Sequence, residues 1–405
     1  MKIKDIGRVV TGKTPATGNA QYYNGKYMFI APTDIAKGFV LTSSERTITE
    51  EGYLSISSNT LHGTSVLVGC IGSDMGNVAI VEESCATNQQ INAITDIKCH
   101  VNPYYVYYYL SMRKSYLRTL AGVTTTPILP KSTFEEIDIV LPPKLIQDKV
   151  VNILYVLDDK IRQNARICAE LEAMAKTLYD YWFTQFDFPN ADGKPYRSSG
   201  GEMVWNDQLK REIPRGWRVG NLYSIADPIN GLACQKYRPK ENEAALPVVK
   251  IKEMHEGITD DTESVSINIP AKHKIFDGDI LFSWSATLEV MYWFGGDAGL
   301  NQHIFKVVPI NGFSKEYVYH QFSAYVINFV KMAEARKTTM GHITTDHLEQ
   351  SRIVLPPSEI IQAFSEIVAP IHEKIGYCQK ENRELTKLRD WLLPMLMNGQ
   401  AKVGA

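Results

Sequence analysis

The chain has 405 residues, with 43 Lys and Arg against 45 Asp and Glu, for a formal net charge of −2. That length exceeds one hydrophobic core and predicts two or more domains. No apolar run approaches the ~20 residues of a membrane span, and MKIKDIGRVV lacks the apolar stretch of a signal peptide. Six scattered cysteines without a C-x-x-C pair, and nine histidines without an i, i+4 pair, speak against structural zinc and fit a reducing, cytoplasmic setting. Residues 1–143 balance at zero charge and residues 218–357 sum to about −2. Any nucleic-acid surface must therefore be local, or shared with a partner.

In chain order, residues 1–143 mix short β-rich runs with Gly-, Asn- and Ser-bearing turns. YMFIAP (27–32), TSVLVGCIG (64–72) and NVAIV (77–81) read as strands. YYVYYYLSMRKSYLRTLAG (104–122) reads as a helix between Pro103 and Gly122. A Thr-rich loop (124–127) and a short strand then lead to IVLPP (139–143), whose prolines end the strand and can open the next helix.

IVLPP recurs at 353–357, an offset of 214 residues. A long helix follows each copy, over 144–186 and from 358 onward. In the first, Val150, Leu154, Leu157, Ile161, Asn164, Cys168, Leu171, Ala175, Leu178 and Trp182 alternate in steps of four and three. Adding the offset gives a second seam running from Phe364 through Asn382 and Arg389 to Leu396. Such 4-3 spacing is the seam of a coiled coil. Each seam carries one Asn, a residue that costs stability but fixes register. Facing residues of an antiparallel pair keep a constant index sum. Asn164 facing Asn382, taken with the offset, places the dyad at residues 166 and 380, and 166 is also the midpoint of the 150–182 seam. An antiparallel pair with these two Asn in contact is expected. Pro370 should bend the second helix and Pro394 weaken its last turn.

Residues 187–217 are rich in Pro, Gly, Ser and charge and form a connector, with aromatics that should pack on a body. Residues 218–357 repeat the plan of 1–143. Ile6 and Gly12 match Ile225 and Gly231, and Asn88-Gln89 matches Asn301-Gln302. Tyr105-Val106 matches Tyr317-Val318, and Thr124-Thr125 matches Thr338-Thr339. The expected plan is domain (1–143), helix (144–186), connector (187–217), domain (218–357), helix and tail (358–405). This is an α+β class with two similar globular domains, two long antiparallel coiled-coil helices and a pseudo-twofold repeat.

No catalytic motif stands out. A P-loop and a Gly-rich dinucleotide or methyl-donor turn are both missing. Asn102-Pro103-Tyr104-Tyr105 only partly matches the N-P-P-[YF] loop of amino-methyltransferases and reads as a helix entry. Asp158-Asp159-Lys160 has the look of a nuclease carboxylate-lysine motif. It lies on the coiled-coil helix and reads as solvated helix charge. His342 and His347 are a poor zinc pair. No catalytic residue and no metal ligand are expected. Duplication remains, and paired domains of this kind suit a split DNA target. Side chains suited to bases and phosphates occupy equivalent loops: Lys13, Thr14, Gln89, Thr124 and Thr125 in the first domain. In the second they are Lys236, Arg238, Gln302, Lys337, Thr338, Thr339 and His342. A two-domain protein-binding scaffold is the competing reading.

TGKTP (11–15) followed by QYYNGKYMFIAPTDI (21–35) resembles the opening of a target recognition domain of the specificity subunit of type I restriction–modification systems. GLACQKYRP (231–239), GDILFSWSATLEV (278–290), LNQHIFKV (300–307) and KTTMGHI (337–343) are similar to a recurrent class of the same domain. The doubled LPP with its long helices, the connector (194–217) and LLPMLMNGQ (392–400) fit as well. The resemblance covers nearly the whole chain. It implies a non-catalytic reader of a bipartite double-stranded DNA target, docked to two methyltransferase subunits and joined by restriction subunits. S-adenosylmethionine, ATP and Mg are then expected on those partners, with no cofactor on this chain.

Overall fold

The structure, a computed structural model, describes residues 1–36, 38–72, 74–122, 127–285, 287–335 and 345–401, the side chains of 332–335 and 345 excepted. It divides into two compact units, Met1–Ile161 with Leu385–Ala405 and Arg162–Glu384.

The first unit contains β1 (Arg8–Thr11), β2 (Tyr23–Ile30), β3 (Arg46–Ile48), β4 (Thr60–Leu61), β5 (Ser65–Gly69), β6 (Val78–Val81), β7 (Cys85–Thr87) and β8 (Ile91–Thr95). They form two four-stranded sheets, ordered β1-β8-β5-β6 and β3-β2-β7-β4. All pairings are antiparallel except β2 with β7, where Phe29 faces Ala86 and Ile30 faces Thr87. Every residue of β5 is buried, which explains its unbroken apolar run. Val66 and Val68 join Ile80 and Ile94 against the helical layer. Leu67 instead joins Ala79, Val81 and Ala93 in a core shared with Met28 and Ile30 of the other sheet.

Helix α1 (Pro103–Ser111) lies on the first sheet. Proline sits at its first position, and the Asn102 side chain accepts the Tyr104 N–H at 2.9 Å. The single helix expected over 104–122 is broken, and a second one begins at Lys114. The Arg113 guanidinium turns back over the Tyr109 ring, 4.1 Å from its centre. The turn at Gly76 also presses so closely on Lys114 that a Cβ there would lie 3.2 Å from its carbonyl oxygen.

In the second unit, β9 (Ala226–Asn230), β10 (Ala245–Val249), β11 (Ser264–Ser266), β12 (Lys274–Ile275), β13 (Ile280–Ser283), β14 (Glu289–Tyr292), β15 (Ala298–Leu300) and β16 (Ile304–Pro309) repeat the plan strand for strand. Their sheets are ordered β9-β16-β13-β14 and β11-β10-β15-β12, with β10 and β15 again the parallel pair. Ile280 and Phe282 face one core and Leu281 the other, as in β5. The connector packs as its aromatics suggest: Phe188 stacks between Tyr196 and Trp217, with ring centres 4.6 and 5.0 Å away.

Two long helices run through the chain, α2 (Lys144–Tyr179) and, after α3 (Lys315–Ala335), α4 (Ser358–Met397). Beyond Tyr179, α2 widens into a π-turn over Asp180–Thr184, short of the helix end expected at 186. Tyr179, Trp182, Phe183 and Phe186 all enter the core there, and the wider turn accommodates them. Helix α4 continues through both Pro370 and Pro394. Every residue of both seams is buried or half-buried. Within the second unit the helices run antiparallel, since Cys168 clusters with Ile375 and Cys378 while Trp182, further along α2, meets Phe364. Asn164 is buried and donates to Asn382 Oδ1 at 2.9 Å and to Glu381 Oε2 at 2.6 Å.

The units diverge where the domain helix meets the long helices. In the first, Tyr108 donates to Asp158 Oδ2 at 2.6 Å and Arg389 donates to Asp158 Oδ1 at 2.8 Å. Asp158 is thus a buried ion-pair centre, not a solvated helix charge, because α1 covers that face of α2. The repeat places His320 where Tyr108 stands, His372 in place of Asp158 and Ala175 in place of Arg389. The two buried histidines stack with ring centres 5.2 Å apart, and His372 Nδ1 lies 3.1 Å from the Tyr292 hydroxyl. With Tyr292 and Tyr319 they line a cavity of about 470 Å³. Burial, reinforced by the charges of His372 and Lys176, holds His320 down to about 3. Burial holds His372 down to about 4, against the opposing charge of Glu316.

Candidate nucleic-acid interface

Each domain has one corner where the loop after its first strand meets the turn before its last. In the first domain a Cβ on Gly12 would lie 2.1 Å from Asn88 O; in the second, a Cβ on Gly231 would lie 2.1 Å from Asn301 O. Only glycine admits such an approach. Gly12 N–H donates to Ile91 O and Gly231 N–H to Ile304 O, both at 3.0 Å. Asn88 Oδ1 accepts the Gln90 N–H at 3.0 Å and Asn301 Oδ1 the His303 N–H at 3.2 Å. These are Asx turns, so both asparagines shape the turn. Asn88 N–H reaches Ile30 O and Asn301 N–H reaches Val249 O, each the last residue of the neighbouring parallel strand. Cys70 N–H donates to Gln90 O at 2.8 Å and Trp284 N–H to His303 O at 3.3 Å, completing one hydrogen-bonded frame written twice.

The side chains on that frame differ. In the first domain Thr14 Oγ1 donates to Gln89 Oε1 at 2.7 Å, bringing two of the sequence candidates together, while Lys13 beside them is exposed. Thr11 Oγ1 donates to Asn92 Oδ1 at 2.6 Å, and Asn88 Nδ2 to Gln90 Oε1 at 3.2 Å. In the second domain Gln302 Nε2 lies 3.4 Å from His303 Nε2. The Trp284 indole N–H donates to Asn230 Oδ1 at 3.3 Å, and its ring centre is 5.6 Å from that of His303.

Lys236 and Arg238 are exposed in the loop after β9, which is tied back by the Leu232 N–H to Leu300 O. Arg238 also acts on a carboxylate of its own domain: Glu263, held below its usual range first by its hydrogen bond to Lys250, is lowered further by the Arg238 charge. Thr124, Thr125, Lys337, Thr338, Thr339 and His342 lie outside the described residues. Sequence reading missed Gln90, Cys70, Asn230, Trp284 and His303. Trp284 and His303 lie inside conspicuous stretches, but only the pairing of β13 with β16 joins them.

The description "Type I restriction modification DNA specificity domain" matches residues 1–173 and 214–387, one eight-stranded domain and much of the following long helix each time. The chain belongs to this family. The chain is 28% identical to the type I restriction enzyme MjaIX specificity subunit of Methanocaldococcus jannaschii over 419 residues, covering 99% of this chain and 93% of that one. It is 27% identical to the HindI specificity subunit of Haemophilus influenzae, covering 67% and 71% of the two chains. In fold, this type I specificity chain is similar to the crystal structure of the type I restriction–modification S subunit from M. genitalium. The TM-score is 0.58 at 14% identity, covering 98% of this chain and 95% of the other. Among the described residues, no helix is long and apolar enough to cross a membrane and no group of three or more His, Cys, Asp or Glu is placed to hold a metal ion.

Proposed function

We propose that this chain is the DNA-reading, non-catalytic subunit of a type I restriction–modification enzyme, and that each eight-stranded domain reads one half of a split, asymmetric target. The observation that carries this is the twice-written corner, an identical backbone frame bearing Thr14 and Gln89 once and Gln302 with His303 the second time. One frame with two side-chain sets suits two different short sequences.

Two methyltransferase subunits dock along the long helices and restriction subunits join that core. Adenine methylation with S-adenosylmethionine, and cleavage with ATP and Mg, belong to those partners. Helices α2 and α4, of 36 and 40 residues, extend ~54 and ~60 Å at 1.5 Å per residue and set the gap between the half-sites. Asn164 and Asn382 keep their register.

Mapping methylated adenines in cells that carry the chain with its methyltransferase partner tests the reading. A two-part motif with a fixed gap is expected. Deleting one heptad from α2 and the heptad facing it in α4 shortens the pair by ~10 Å and should shorten the gap by about 3 base pairs, leaving the bases unchanged. An unsplit motif, or a gap indifferent to the deletion, refutes it.

A further inference from the structure

The two corners share their backbone and differ in what stands on it. Where the first domain buries Cys70, the second places the partly exposed indole of Trp284 at the same hydrogen-bonded position. Where the first strand of the first domain ends in Thr11, that of the second ends in exposed Asn230. The Asn230 backbone carbonyl accepts from His273 Nδ1 at 2.9 Å, and its Oδ1 accepts the Trp284 indole N–H. The asparagine is therefore clamped from two sides, which leaves its Nδ2 as the donor it presents. The Trp284 ring is held in turn by His303 and by Phe305, whose ring centre is 6.0 Å away. A large, rigid, half-exposed aromatic with its only polar atom already satisfied contributes area and shape to an interface at little cost in side-chain freedom.

We infer that Asn230, Trp284 and His303 join Gln302 as the specificity-determining set of the second domain, facing one half of a double-stranded DNA target. Asn230 supplies an amide donor to base-edge acceptors, and Trp284 packs against the sugar or a thymine methyl. His303 holds both the indole and the Gln302 amide in place, which makes it a positioning residue. The first domain lacks this aromatic and reads through Thr14 and Gln89. The inference rests on the DNA-reading role proposed above and adds residues that family membership does not assign.

The test uses the full chain assembled with its methyltransferase partner, with methylated adenines mapped by single-molecule sequencing for wild type, Trp284→Ala, Asn230→Asp and Gln89→Ala. For Trp284→Ala and Asn230→Asp, methylation at one half of the wild-type motif should fall or relax by about tenfold or more, with the other half and the gap unchanged. Asn230→Asp replaces a donor by acceptors without changing size, so it keeps the inference testable should Trp284→Ala fail to fold. Gln89→Ala should relax the opposite half. If both second-domain variants melt at the wild-type temperature and methylate the wild-type motif equally well, or if they blur both halves alike, the inference is overturned. A wild-type complex that methylates no split motif would overturn the DNA-reading role itself, and this inference with it.

Discussion

Acidification should weaken the second unit before the first, through the stacked pair His320 and His372. Both imidazoles are held neutral in the fold, at about 3 and about 4, against ~6.5 in an unfolded chain. Between those values the unfolded chain takes up protons that the folded one refuses, so stability falls as pH drops below ~6.5. The loss continues until the pH nears the folded values. At pH 5 each histidine contributes a loss of about 2 kcal/mol, or about 4 kcal/mol for the pair. Trp182, Trp217 and Trp293 are buried in this unit, so tryptophan fluorescence during urea unfolding reports on it. Melts at pH 7, 6 and 5 should show a falling midpoint, and His320→Phe, which keeps the ring stack, should remove about half of the fall. Equal acid sensitivity in wild type and in His320→Phe would refute the assignment.

Removing Asp158 leaves the buried Tyr108 hydroxyl without its acceptor and the half-buried Arg389 with Asp390 alone. Asp158→Ala should cost the first unit about 2 kcal/mol, seen as an early step in hydrogen exchange over α1, while Asp158→Leu with Arg389→Leu and Tyr108→Phe should recover much of it. Gly12→Ala drives a methyl into Asn88 O and should cost about 1–3 kcal/mol, with methylation lost at one half of the motif only. Gly231→Ala should do the same to the other half. Cys168 and Cys378 share one small core cluster, so mild oxidation should yield a 168–378 cross-linked peptide on mass analysis. Burial, with Cys378 close by, pushes the Cys168 thiol up to about 11, so that reaction should be slow at pH 7 and quicken about tenfold per unit of rising pH. A slipped or parallel helix pair would give no such peptide.

Much of the architecture was legible because it was repeated. The doubled IVLPP and the 4-3 spacing located both long helices, and the matched Gly and Asn-Gln pairs marked the two domains as copies of one plan. Three things were not legible. The break at Arg113 arises from the Tyr109 ring and the Gly76 turn, both of which act through tertiary contact. The burial of Asp158 requires knowing that α1 lies over α2, whereas its local sequence is that of an exposed helix face. The cluster of Asn230, Trp284 and His303 is gathered by the order β9-β16-β13, and spacing along the chain does not reveal strand order.

The contrast between Tyr108–Asp158–Arg389 and His320–His372–Ala175 gives the repeat a handedness of fit. A first domain grafted into the second seat would set the Tyr108 hydroxyl against an imidazole, with no arginine beneath it. A second domain in the first seat would set His320, an imidazole kept neutral in its own seat, against the Asp158 oxygen that Tyr108 holds. Each reader is keyed to its own socket, so exchange between related proteins should proceed freely at matching positions and stall when a domain is moved across the dyad.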